Sequence, residues 1–157
     1  MASKLTLPGT YAFHFSGFDR DGSRSRYLTG LGRIVLVARD ATTGTLSDGR
    51  HWSTNSPMFG GVTPAQKLRH SVYELTGSYE ILDAGPPLVA AIDIEFRRQG
   101  EAIPFELEGM RDRFLAVQSG PDRFRLMSTD PRSVAGTSEK IDELVLGESI
   151  KVDPATW

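Results

Sequence analysis

Short stretches with apolar residues at every second position recur along almost the whole chain, and that pleated-strand signature constrains the fold more than any other feature. Gly9 to Phe18 sets Tyr11, Phe13 and Phe15 against Ala12, His14 and Ser16. Leu88 to Arg98 sets Ile92, Ile94 and Phe96 against Asp93, Glu95 and Arg97. Ile103 to Met110 repeats the scheme, with Ile103, Phe105 and Leu107 opposed to Glu106 and Glu108. Leu68 to Leu82 carries Ser71, Tyr73, Leu75, Gly77, Tyr79 and Ile81 on one parity. Tyr27 to Ala38 contains the run Ile34-Val35-Leu36-Val37, whose β-branched content favours a strand. Thr45 to Trp52, interrupted at Asp48-Gly49, then Phe114 to Gln118, Phe124 to Thr129 and Ile141 to Val152, complete about nine strand segments. The one weak helical option is Ser138 to Leu146.

Turn-formers separate these segments. Asp21-Gly22, Arg39 to Gly44 and Asp83 to Pro87 mark reversals, and 16 Gly and 9 Pro are spread along the chain. Ser53 to Gln66, with Pro57, Gly60, Gly61 and Pro64, is the least regular stretch and has the character of a lid or binding loop. Strands at this spacing, with no amphipathic helices between them, give an all-β class in one domain spanning residues 1–157. Long consecutive strands without long crossovers favour an antiparallel up-and-down β-barrel of eight to nine strands; an immunoglobulin-type sandwich is the alternative.

Charge and composition exclude several function classes. The net charge is −2 without a run of Lys or Arg, so nothing points to nucleic acid or an anionic membrane. The chain has no cysteine, which removes disulfides, thiolate metal sites and Cys nucleophiles. Met1 to Pro8 lacks a signal-peptide core and no segment approaches the ~20 apolar residues of a membrane span, so a cytoplasmic location is expected.

Few motifs carry chemistry. His14, His51 and His70 show no metal-ligand spacing, and each is expected at the surface or hydrogen-bonded; neither a metal nor a cofactor is expected. Gly30-Leu31-Gly32 lacks the third glycine of a dinucleotide fingerprint, and no Gly-x-Ser-x-Gly elbow is present. The pairs Asp93/Glu95 and Glu106/Glu108 alternate with apolar residues and are expected to face solvent. The aromatic set Tyr11, Phe13 and Phe15 is expected inside. Tyr73 and Tyr79 can present hydroxyls to a cavity, and Trp52, Met58 and Phe59 can cap the core or close the barrel mouth. Glu74 shares a strand face with His70. Buried, its carboxyl would titrate higher and serve as general acid or base, with a Tyr hydroxyl or Arg33 as a carbonyl-polarising contact.

Leu7-Pro8-Gly9-Thr10-Tyr11 through Phe18, with Tyr11 at the usual Trp position of Gly-x-Trp, resembles the first strand of calycin (lipocalin-like) barrels. Leu75-Thr76-Gly77-Ser78-Tyr79 is similar to a recurring strand of the same barrels, and allene-oxide-cyclase-like barrels, some of which cyclise polyketides, are an equally good relative. The resemblance implies an apolar small molecule inside the barrel. An isomerase or cyclase acting on a flexible polyketide-like substrate heads the functional readings. Catalytic Glu74, Tyr73 and Arg33 would act beside a wall of Tyr11, Phe13, Phe15, Trp52, Met58, Phe59 and Tyr79. Holding one reactive conformer can by itself remove about 7–11 kcal/mol of barrier at the ideal limit. The alternatives are a non-catalytic carrier of a hydrophobic ligand and a β-sandwich interaction module; a homodimer is compatible with each.

Overall fold

The computed structural model describes residues 6–21, 24–57, 69–98, 110–129, 132–134 and 140–156. Nine strands form one antiparallel sheet: β1 (Gly9–Asp21), β2 (Arg24–Ala38), β3 (Thr43–Pro57), β4 (Arg69–Asp83), β5 (Val89–Arg98), β6 (Met110–Gly120), β7 (Arg123–Ser128), β8 (Arg132–Val134) and β9 (Lys140–Val152). Neighbours in sequence pair with each other from β1 to β7, and β9 returns to pair with β1 from Thr10↔Val152 to Arg20↔Asp142. Both β7 and β8 lie between β6 and β9, so they act as two pieces of a single stave. The result is a closed up-and-down barrel of eight positions, not a sandwich. Among the described residues no helix is long and apolar enough to cross a membrane.

Most expected segments coincide with strands, and the differences have local causes. The helical option at Ser138 to Leu146 is corrected: Lys140–Val152 is strand β9, because the barrel can close only if this segment pairs with both β1 and β7. Ile103 to Gly109 lies outside the described residues. The interruption expected at Asp48-Gly49 is a β-bulge inside a continuous β3. Register shifts there against both β2 and β4, and Asp48 takes a φ of 46°. Aspartate tolerates that left-handed conformation better than bulkier residues do, and its carboxylate meets Arg33 at 3.2 Å.

Alternation decides what lies inside. Tyr11, Phe13 and Phe15 of β1, Ile34 and Leu36 of β2, Leu75 and Tyr79 of β4, Ile92, Ile94 and Phe96 of β5, and Phe114 of β6 are all buried in one core. Each large apolar side chain so buried contributes about 1.5–3 kcal/mol relative to exposure. Asp93 and Glu95 point outward, where Arg113 reaches Asp93 at 3.5 Å while Arg97 and Arg111 meet Glu95 at 2.9 and 3.4 Å. The Arg97 hydrogen bond, then its charge and that of Arg111, hold the Glu95 carboxyl below its ordinary range.

At one end of the barrel the chain's first described residues tuck under the strands. Leu7 is buried, and Tyr11 donates its hydroxyl hydrogen to the Leu7 carbonyl at 2.6 Å. Burial, followed by the charge of Asp122, pushes the Tyr11 phenol far above its usual value, so it remains a neutral donor. At the same end, Asp40 shapes the β2–β3 reversal. Thr43 Oγ1 donates to its carboxylate at 2.6 Å, and the Thr42 and Thr43 amides donate at 2.9 and 2.8 Å.

Two outcomes follow. Tyr11→Phe leaves the buried Leu7 carbonyl without its donor and should lower unfolding free energy by about 1–3 kcal/mol in urea titration. The Thr43 hydroxyl and the two amides lower the Asp40 pKa from 3.8 to about 2, so this turn's extra stability is fully present above pH 3.8 and disappears as pH falls through about 2. Amide exchange at Thr42 and Thr43 should therefore speed up selectively over that interval.

Candidate functional site

The inner wall is built from two registers of paired residues running across β1 to β4. Phe15 faces Gly30, Gly30 faces Ser53, and Ser53 faces Ser71. In the adjacent row Phe13 faces Gly32, Gly32 faces His51, and His51 faces Tyr73. The bulge at Asp48 is what brings His51 and Ser53 inward. Gly44 and Leu46 are buried on the even parity before it; Gly49, His51 and Ser53 are buried on the odd parity after it.

His51, only 3% exposed, sits in an aromatic box. Its ring centroid lies 4.5 Å from that of Phe15, 5.8 Å from Phe13, 6.0 Å from Tyr73 and 5.8 Å from Phe96. The planes of Phe13 and Phe15 are within 10° of each other, and His51 is tilted by 29° from Phe13 and 24° from Tyr73. Four rings thus share roughly one orientation, while Phe96 meets Tyr73 edge-on at 87°. Gly30 makes this possible, since a methyl group there would overlap His51 Nε2.

Between this box and the Leu7 end lies an apolar void of about 20 Å³, roughly the room of a single water. Leu7, Tyr11, Phe13, Phe15, Phe114 and Phe124 are among its walls, and Ser149 interrupts their apolar character. Tyr79 is buried on the same inner surface, and its phenol is raised chiefly by desolvation. Asp112 of β6 also faces inward, accepting the Arg113 amide at 3.0 Å.

Tyr11, Phe13, Phe15, Tyr73 and Tyr79 therefore come together on the inner surface. Three other expected site residues do not, and these are corrections. Glu74 is exposed, on the face of β4 opposite Leu75 and Tyr79. Arg33 lies outside, between inward Gly32 and Ile34, paired with exposed Asp48. Trp52 is 46% exposed, since the bulge places it between inward His51 and Ser53. Met58 and Phe59 lie outside the described residues. His14 and His70 are exposed, and His70 Nδ1 is 2.9 Å from Thr54 Oγ1. Among the described residues no group of three His, Asp or Glu side chains is placed to hold a metal. Among the described residues His51, Ser53, Asp112 and Ser149 are inward polar residues that sequence reasoning missed; carrying the parity across the Asp48-Gly49 bulge would have found the first two.

Solved structures resemble the barrel to different degrees. The structure of EF1p2_mFAP2b bound to DFHBI matches with a TM-score of 0.53 and 13% identity, over 93% of this chain and 94% of its own. A fluorescence-activating β-barrel of de novo design gives 0.47 and 14% identity, over 97% and 99%. The S-type phycobiliprotein lyase CPES from Guillardia theta gives 0.35 and 8%, over 94% and 89%. No protein-family model matches the chain, and no curated protein matches it. The likeness to EF1p2_mFAP2b is one of fold.

Inner and outer faces make opposite demands on substitution. Gly30→Ala should cost about 1–3 kcal/mol through overpacking against His51. Glu74→Gln should stay within about 0.5 kcal/mol, as exposed substitutions generally do. Parallel thermal and urea unfolding checks both values.

Proposed function

We propose that this barrel encloses a small, largely apolar molecule in its aromatic interior. The observation that carries the reading is the lining of the void, mainly apolar among the described residues and set inside a closed sheet. Voids of that character stay dry and take up apolar guests. At about 20 Å³ the space is far too small for a sizeable ligand, so a guest enters a form in which rings such as Phe13, Phe15 or Phe114 have rotated aside. A barrel of the same fold, EF1p2_mFAP2b, is described as bound to DFHBI, which supports the idea that this architecture can hold a small molecule.

Catalysis is the second reading, and Tyr73 is the observation that favours it. Its ring lies 6.0 Å from that of His51 on the inner wall, and a phenol beside an imidazole is a pair that could act on an enclosed carbonyl substrate. Isomerisation or cyclisation of a flexible polyketide-like chain is the reaction class proposed for that pair, with Glu74 and Arg33 no longer part of it. Incubation with a polyketide-like poly-carbonyl chain, followed by product analysis of the parent protein and Tyr73→Phe, separates a catalyst from a carrier.

The binding test uses N-phenyl-1-naphthylamine, a neutral apolar fluorophore. Saturable one-to-one binding with methyl NMR shifts at Ile34, Ile92 and Ile94 is the expected result. Shifts confined to outward Leu31, Leu144 and Leu146 would place the dye outside the barrel and end the proposal.

A further inference from the structure

The hydroxyl of Ser53 is at odds with its surroundings. The residue is 7% exposed, and its Oγ is buried without a hydrogen-bond partner among the described residues. Such a group costs stability, because its water contacts are lost and nothing replaces them. An alanine would fill the place more favourably if folding were the only demand. The hydroxyl also occupies a particular place in the wall. It lies in the row Phe15–Gly30–Ser53–Ser71, one inward step farther than His51 from the Leu7 end, and so at the edge of the box of parallel rings. Opposite it Gly30 presents no side chain.

We infer that Ser53 is the polar anchor of a binding site whose guest is a flat aromatic molecule carrying one uncharged hydrogen-bonding group. The inference rests on the barrel reading above and narrows its ligand class. Flatness follows from the rings: Phe13, Phe15, His51 and Tyr73 lie within a few tens of degrees of one plane direction, so a planar guest continues their stack while a bulky aliphatic one does not. The hydrogen-bonding group follows from Ser53, whose hydroxyl can both donate and accept, and from buried Ser71 directly across from it. Neutrality follows from the apolar, aromatic interior, where a charge without a partner is costly to bury. Serine here trades some stability for recognition, a familiar exchange at binding sites.

Naphthalene and 2-naphthol, which differ by one hydroxyl and are both neutral at pH 7, are the probes. Each is titrated by fluorescence against the full chain and against Ser53→Ala, with a thermal scan of both proteins. Loss of one net hydrogen bond should shift the ratio of the two dissociation constants about 5-fold against 2-naphthol in the variant. The melting temperature of Ser53→Ala should equal or exceed that of the parent. An unchanged ratio, with both probes bound, overturns the role of Ser53 and leaves the barrel reading standing. If neither probe binds either protein, both readings are overturned. A clearly lower melting temperature for the variant assigns the hydroxyl to folding and overturns the inference as well.

Discussion

The antiparallel ladder between β1 and β9 is the interaction on which everything else depends. Eleven residue pairs, from Thr10↔Val152 to Arg20↔Asp142, convert an open nine-stranded meander into a cylinder. Closure removes the two sheet edges that would otherwise pair with other chains. It also completes the wall around Tyr11, Phe13 and Phe15, which are carried by the same strand that makes the seam. The seam tolerates little bulk: a methyl group at Gly147 would run into the His14 carbonyl oxygen. Ring lining and closure are therefore one constraint, and a change that loosens the seam also opens the interior.

How much of this is legible in the sequence depends on whether alternation runs unbroken. In β5 the opposition of Ile92, Ile94 and Phe96 to Asp93, Glu95 and Arg97 is the pleat itself, and it maps directly onto inside and outside. In β3 a single extra residue at the bulge reverses the count, so a parity begun at Leu46 assigns Trp52 inward and His51 outward, opposite to their places. Glu74 and Arg33 are attractive for their chemistry, yet their inward neighbours Leu75, Gly32 and Ile34 already fix both on the outer face. A charged side chain next to a committed apolar position has no freedom to turn in.

The segment with weakly helical character carries a different lesson. In β9 Leu144, Leu146 and Ile150 are exposed while Val145 and Ser149 are buried, so apolar residues stand on both faces and the period of two is blurred. Phe18 and Tyr27, paired across β1 and β2, and Phe18 with Leu144 across β1 and β9, extend that apolar character over the outside of the seam. Local pattern is silent there because both surfaces are greasy. The pairings that decide the conformation come from β7 and from β1, the latter more than a hundred positions away.

The interior divides into a mainly apolar half and a half with several inward polar side chains. Toward Leu7 the wall is apolar apart from Ser149 and encloses the small void, and the inward hydroxyl of Tyr11 is spent on the Leu7 carbonyl. Toward the other end, His51, Ser53, Ser71 and Asp112 interrupt the aromatic wall. Because the void is about the size of one water, any guest must trade places with existing ring contacts rather than drop into empty space. Ring–ring contacts are worth about 0.5–1.5 kcal/mol each beyond burial, so a guest able to stack in the same orientation recovers what the displaced rings lose. A guest that cannot stack recovers only area. If the barrel holds a guest, the orientation its own rings share would set its selectivity.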